Sequence, residues 1–407
     1  MDRCDIVIVG GGLAGASLAL ALAPLGFSIA VIEAVAPRAA RQPSYDDRTL
    51  ALNNGTCSIL RAIGLWDSLS DDATPIRQVI VSELHRPGRV VLDPAESGLT
   101  EFGHVVEARR FGVSVMQGLE QAANIEYLCP VTVSGLETGE DALTLQLETD
   151  AGARELQARL LVAADGADSF IREQMRIPTR SRDYGQTAVI CNVTPEQPHE
   201  GRAFECFTPT GPFAVLPHTG GRCGMVWSVA SDEAEGVLRF DDAEFLRQAQ
   251  RRFGAKLGRF TQVGKRSAYP LRLVRARQDT AHRLVILGNA AHAIHPVGAQ
   301  GFNLALRDAA ALAEVLADAD DAREDPGQAA LLRQYSEWRK PDQRGTIAWS
   351  DGLTRLFANR SVLAAGVRTA GLLAHALSPS LRRRLAARYM GYQGRIPRLA
   401  LGEPLSA

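Results

Sequence analysis

The chain has 407 residues, with 45 basic and 46 acidic side chains and a formal net charge of −1. Hydrophobic residues make up 46% and charged ones 22%, an ordinary globular profile that excludes wholesale disorder, a collagen-like repeat and a small disulfide scaffold. The near-zero charge gives no general pull toward nucleic acid, and the length suggests two or three domains.

Ile6 to Ile32 carries no charged residue, but its five glycines and mid-run Pro24 argue against a single membrane span. Ile6 to Val9 reads as a buried parallel strand, Gly10 to Gly15 as a turn, Leu13 to Ala23 as a helix and Ser28 to Ile32 as a second strand: a β-α-β unit. Helices are expected at Thr56–Leu69 and Phe111–Ala123, a loosely alternating hairpin at Val79–Leu92, and strands at Leu143–Leu147 and Leu156–Ala164. From Thr187 to Tyr269 short alternating segments predict an antiparallel sheet. A buried strand at Leu284–Leu287, a helix at Asn303–Leu316 and an acidic loop at Asp318–Pro326 follow. The six cysteines form no CxxC pair and no His/Cys cluster has zinc spacing. No metal site is expected, and the thiols read as reduced, in a cytoplasmic chain.

Three strand ends carry the chemistry. Gly10-Gly11-Gly12-Leu13-Ala14-Gly15 fits G-x-G-x-x-G between a strand and a helix: Gly10 for the tight turn, Gly12 for close approach of a pyrophosphate, Gly15 for helix–strand packing. The helix N-terminus offers N–H groups and positive dipole to phosphates, and Glu33, ending the second strand, suits a ribose diol. Asp165-Gly166 follows the strand ending at Ala164; it is either a simple turn or a ligand loop. Gly288-Asn289-Ala290-Ala291-His292 and His295-Pro296-Val297-Gly298-Ala299-Gln300-Gly301-Phe302-Asn303 form a third loop, whose small residues would let a flat ring approach the backbone.

Together these features resemble the class A flavoprotein monooxygenases, the p-hydroxybenzoate hydroxylase-like group. Within it the chain is similar to the ubiquinone-biosynthesis hydroxylases, nearest to the 2-octaprenyl-6-methoxyphenol hydroxylases. Supporting segments include Asp47 to Leu52, Val106-Glu107, Glu200 to Glu205, Gly264 to Leu271 and Leu356 to Arg360. Two departures stand out: the family's Gly-Asp is Gly288-Asn289, and Gly298-Ala299 replaces the branch's usual Ala-Gly order. The resemblance implies an α/β fold: a Rossmann-like FAD-binding domain (1–72, 106–182 and 282–350), an inserted antiparallel substrate domain (73–105 and 183–281) and a helical C-terminus (351–407). It implies FAD as cofactor, NAD(P)H and O₂ as co-substrates, and ring hydroxylation of a polyprenyl phenol through a flavin C4a-hydroperoxide. The rival readings are a non-catalytic flavin-binding subunit and a same-fold prenyl reductase.

By position, the resemblance assigns FAD contacts to Gly10, Gly12, Leu13, Ala14, Gly15, Glu33, Arg48, Asp165, Gly166, Gly288, Asn289, Gly298, Gln300, Gly301, Phe302 and Asn303. It sets Pro296 at the reacting edge and Arg48 near the flavin, where a surface pair with Asp46 or Asp47 is the alternative for Arg48. His292 and His295 are candidates for phenol activation, although a lone histidine is more often structural. Tyr269 and Trp227 are pocket candidates for which core packing is the commoner role. Residues 352–402 hold nine arginines and no Lys, Asp or Glu, so the remaining 356 residues carry about −10. Those arginines are either solvated or paired elsewhere, or form a basic face for anionic lipid at the inner membrane surface or for partner proteins of the pathway.

Overall fold

The computed structural model describes residues 2–36, 48–359 and 361–405. Its first sheet is built on the β-α-β unit. Strand Arg3–Val9 is apolar on both faces and sits in the middle, as a parallel strand covered on both sides should. Across the sheet the parallel order is Leu284–Ile286, Gly152–Ala163, Arg3–Val9, Ile29–Ile32, Ile125–Leu128. Helices Leu13–Leu22, Ala108–Gln121 and Gln300–Asp321 cover one face with a continuous apolar core. The other face packs against the hairpin of Thr132–Thr138 and Leu143–Thr149, which extends the long strand Gly152–Ala163 antiparallel.

The second sheet runs His292–Ala293, Ser267–Ala276, Thr179–Pro195, Cys223–Ala230, Gly211–Pro217, Arg202–Thr208, Gln78–Glu83, Arg89–Leu92. All these neighbours pair antiparallel except Arg202–Thr208 with Gln78–Glu83, which is parallel. One face buries Trp227, Phe213, Phe245 and Phe253 under helix Asp242–Phe253. A separate apolar cluster joins the sheet to helices Ala329–Ala358, Val362–Leu377 and Pro379–Met390. A small sheet of Thr49–Asn53, Gly103–Glu107 and Thr74–Pro75 links the two.

The expected elements are present with shifted bounds. The predicted helix over Thr56–Leu69 is two, Asn54–Ala62 and Asp67–Ser70, because Gly64 turns with φ +74°. The predicted loop from Asp318 begins inside a helix that continues to Asp321.

A buried ionic network ties the two longest helices together behind the third strand end. Arg307 Nε donates to Asp342 at 2.9 Å, Arg339 Nε to Asp308 at 2.6 Å and Arg339 Nη2 to Asp342 at 2.5 Å. His292 Nε2 lies 2.6 Å from Asp308. Burial alone would raise the Asp342 carboxyl, but Arg307 and Arg339 outweigh it and hold it down at about 2.

Four of the eight described arginines of the C-terminal segment are committed to distant acids: Arg368 to Glu83, Arg382 to Glu96, Arg395 to Glu314, and Arg398 to Asp318 and Glu314. Of the two readings of this segment, arginines solvated or paired elsewhere and a basic face, these four fit the first. Part of the charge asymmetry between the segments goes into fastening one to the other. Arg383 and Arg384 remain exposed without an ion pair among the described residues; Arg360 lies outside them.

Candidate active site at the strand ends

The carboxyl ends of the parallel strands open into a cavity of about 590 Å³. Gly10, Gly12, Leu13, Ala14, Glu33, Asp165, Gly166, Gly288, Asn289, Arg48 and Phe302 line it. Gly10 has φ +108°, and a Cβ there would lie 2.3 Å from the Ala164 carbonyl oxygen, so only glycine fits the crossing of the two strands. Gly12 precedes helix Leu13–Leu22, and no side chain caps its first turn. Its leading N–H groups are therefore available to an anion, with the helix dipole behind them. Glu33 Oε1 accepts from the Val35 N–H at 2.8 Å, which fixes the carboxylate at the strand end.

Ser169 caps helix Phe170–Gln174, and Asp165 Oδ2 accepts from the Ile171 N–H at 3.1 Å. Asp165 Oδ1 is buried without a partner among the described residues, and burial pushes this carboxyl up against the hydrogen bonds from Ser169 and Ile171. Arg172 binds the Asp165-Gly166 loop to the Gly288–Ala290 turn, donating to Ala167 O and Ala290 O at 2.8 Å each. An uncapped helix, a glycine cradle and an orphaned carboxylate oxygen in one cleft fit a dinucleotide with its pyrophosphate at the helix and hydroxyls near Asp165 and Glu33.

A second cavity of about 340 Å³ adjoins the first and shares Arg48, Leu50, Asn289 and Phe302 with it. It lies between the face of the antiparallel sheet and the loop of Pro296, Val297, Gly298 and Gly301. Its wall is mostly apolar: Ile76, Val79, Ile190, Ala203, Leu216 and Val226 among others. Gly298 has φ +67°, and a Cβ there would strike the Trp349 ring at 2.8 Å, so the loop is pressed onto helix Ala329–Ala358.

His295 is a correction. It lines neither cavity and is fully buried behind the loop. Its Nδ1 accepts from the Val297 N–H at 3.2 Å, which leaves Nε2–H to donate to Gln186 at 3.1 Å. Burial pulls its pKa down to about 4, so it is a neutral brace for the loop rather than a base facing a phenol. His292 is likewise engaged, with Asp308.

Gly15, Gln300 and Asn303 also stand behind the walls. Gln300 donates to Gly298 O at 3.0 Å. Asn303 holds strand Thr49–Asn53 to the loop through Ala51 O, Ala299 O and the Asn53 N–H. Trp227 is in the core of the second sheet, and Tyr269 lies under Arg48, whose guanidinium carbon is 4.9 Å from the ring centroid. Asp46 and Asp47 lie outside the described residues. Glu205 and Tyr389 line the second cavity and were not selected from sequence. The available signal was Glu205 itself, the one acid in strand Arg202–Thr208, flanked there by Phe204 and Cys206.

The profile of the FAD binding domain matches residues 3–350. Ubiquinone hydroxylase UbiL of Rhodospirillum rubrum is 38% identical over 404 residues, covering 98% of this chain and 93% of that protein. The 3-demethoxyubiquinol 3-hydroxylase of Escherichia coli is 30% identical over 381 residues, 93% and 96% of the two chains. Among solved structures, p-nitrophenol 4-monooxygenase PnpA from Pseudomonas putida DLL-E4 superposes with a TM-score of 0.80 at 20% identity, covering 97% of this chain and 100% of that one. PqsL of Pseudomonas aeruginosa does so at 0.74 and 21%, covering 91% and 99%. The chain belongs to the FAD-binding-domain family of flavin-dependent monooxygenases.

Proposed function

We propose that this protein is an FAD-dependent aromatic hydroxylase of ubiquinone biosynthesis, using NAD(P)H and O₂ on a polyprenyl phenol. The observation that carries the reading is the pair of adjoining cavities, one built for a dinucleotide and one apolar, meeting at Arg48, Asn289 and Phe302. Relatives named as ubiquinone hydroxylases, aligned over nearly the whole chain, support the pathway, and their names do not single out one ring position. The segment boundaries expected from sequence belong to this reading: FAD-binding parts 1–72, 106–182 and 282–350, substrate parts 73–105 and 183–281, and a helical C-terminus 351–407.

When bound, FAD supplies the oxygen-activating chemistry that no side chain can provide. In this reading Gly10, Gly12, Leu13 and Ala14 bind the pyrophosphate, Glu33 the adenosine ribose, and Asp165, Gly166 and Asn289 the ribityl side. Asn289 accepts through its amide carbonyl without charge. The Gly298–Phe302 backbone, at the uncapped N-terminus of helix Gln300–Asp321, stabilises negative charge on the ring. Pro296 and the apolar sheet wall exclude water beside it. Turnover of NADPH with a panel of polyprenyl phenols, read as product mass, tests the reading; the absence of any hydroxylated product would reject it.

We further propose that the protein works at the cytoplasmic surface of the membrane, where a polyprenyl substrate resides. Among the described residues no helix is long and apolar enough to cross a membrane. Helix Val362–Leu377, however, exposes Val362, Leu363, Val367, Leu373 and Leu377, with Val362 91% and Leu377 81% exposed. Its Leu372 joins the apolar cluster that contains Val79 and Val297 of the second cavity. An apolar helix face with the exposed Arg383 and Arg384 nearby in the chain suits an anionic interface. Val362→Ser with Leu363→Ser and Leu377→Ser is expected to reduce co-sedimentation with vesicles containing anionic lipid, with Arg383→Gln and Arg384→Gln adding a salt-sensitive loss. Unchanged binding in all five would remove the membrane reading.

A further inference from the structure

Among the described residues lining the second cavity, Glu205 is the only acid. The sheet register puts it there. Glu205 pairs with Ala214, Ala214 with Val226, and Val226 with Ile190, so the four form one row across three antiparallel pairings, and all four line the cavity. The residue is 7% exposed, and its Oε1 has no partner among the described residues. The carboxylate also accepts from the Gly298 N–H, which sets it beside the loop that would carry the flavin ring. Among the described residues its surroundings offer no compensating cation in contact. The neighbouring strand Gln78–Glu83 presents Val81 opposite it, strand Gly211–Pro217 presents Ala214, and helix Pro379–Met390 presents Tyr389. Cys206, next in the chain, belongs to the core on the opposite face, while Arg48 lines the cavity elsewhere. Burial raises the carboxyl to about 7.

We propose that Glu205 is the catalytic base that ionises the phenol, an inference that rests on the second cavity being the phenol site. The phenol O–H bond breaks, its electron pair stays on the ring oxygen, and the proton passes to the free carboxylate oxygen of Glu205. The electron-rich ring then accepts one oxygen atom from the O₂ and NAD(P)H chemistry of the established class. As aromaticity returns, the ring carbon passes its own proton to the oxygen atom it has received, the former phenol oxygen takes back the proton held by Glu205, and the second oxygen atom of O₂ leaves as water with the hydride of NAD(P)H and one solvent proton. No net proton remains on the carboxylate. A carboxyl near 7 is better matched to a phenol than an ordinary one, yet it is still ionised at neutral to alkaline pH. The sign follows: below about 7 Glu205 is protonated and cannot accept, so hydroxylation should rise with pH through that value.

The test compares Glu205→Gln with Glu205→Asp in the FAD-loaded protein. Gln keeps an acceptor for the Gly298 N–H but cannot take a proton; Asp keeps the base but shortens the reach. A base role predicts that Gln retains FAD, loses product formation by ~100-fold and loses the pH limb, while Asp recovers part of both. The ultraviolet difference spectrum of a bound 4-alkyl-2-methoxyphenol should show the ionised phenol with wild type above pH ~7 and not with Gln at the same pH. The proposal is overturned if bound phenol ionises equally in Gln and wild type, if Gln is active and Asp is not, or if both lose FAD. Failure of wild type to hydroxylate any phenol would instead reject the proposed function.

Discussion

Replacing Arg339 by Met is expected to cost about 3–5 kcal/mol of folding stability, read as a lowered denaturant midpoint. Arg339 is 1% exposed and bridges Asp308 on one long helix to Asp342 on its own. Removing it leaves two buried carboxylates, only one of which retains Arg307. Asp308 would keep His292 and the weaker amide contact from Gln343 at 3.3 Å. Adding Asp308→Asn should recover part of the loss, because it removes the stranded charge rather than the contact. As a control, Arg239→Ala should change stability little, since its pair with Glu235 is exposed on both sides. The pH sign follows from the lowered carboxyls of Asp308 and Asp342. Their contribution is complete above the ordinary carboxylate range near 4 and fades as pH falls through the lowered values, about 2 for Asp342.

Gly10→Ala is expected to yield folded protein that purifies without flavin. The new Cβ would meet the Ala164 carbonyl at 2.3 Å and force an alanine to φ +108°. Strain of about 1–3 kcal/mol for the backbone, with displacement of the turn that cradles the phosphates, corresponds to ~100-fold weaker FAD binding. The measurement is FAD released per protein on denaturation, with circular dichroism as the check on folding. Retention of a full equivalent of FAD would show that this turn is not the pyrophosphate site.

The parts of the site legible in the sequence are those whose geometry is local. Gly10 to Gly15 lies between two strands and a helix within one short unit, so spacing alone implies the turn, the open N–H groups and the position of Glu33. Asp165-Gly166 and Gly288-Asn289 were visible because each follows a run of apolar residues that must be a buried strand. Glu205 was not visible as a site residue. Its place depends on the register of three strand pairings and on a loop over ninety residues later, none of which a single strand reveals. His295 misled for the opposite reason: it adjoins Pro296 in sequence, but its ring turns away from the cavity toward Gln186. The arginines left two readings open because their partners are remote, as with Arg368 and Glu83 or Arg382 and Glu96. Composition registers an excess of charge but not the fold that cancels it.

Turnover of the FAD-loaded protein with NADPH and a polyprenyl methoxyphenol under oxygen-18 gas is the most direct measurement of the proposed activity. One labelled oxygen atom in the ring product, with the second in water, is the expected result. NADPH consumption that yields only peroxide with every phenol offered, or a product whose oxygen comes from water, would contradict it.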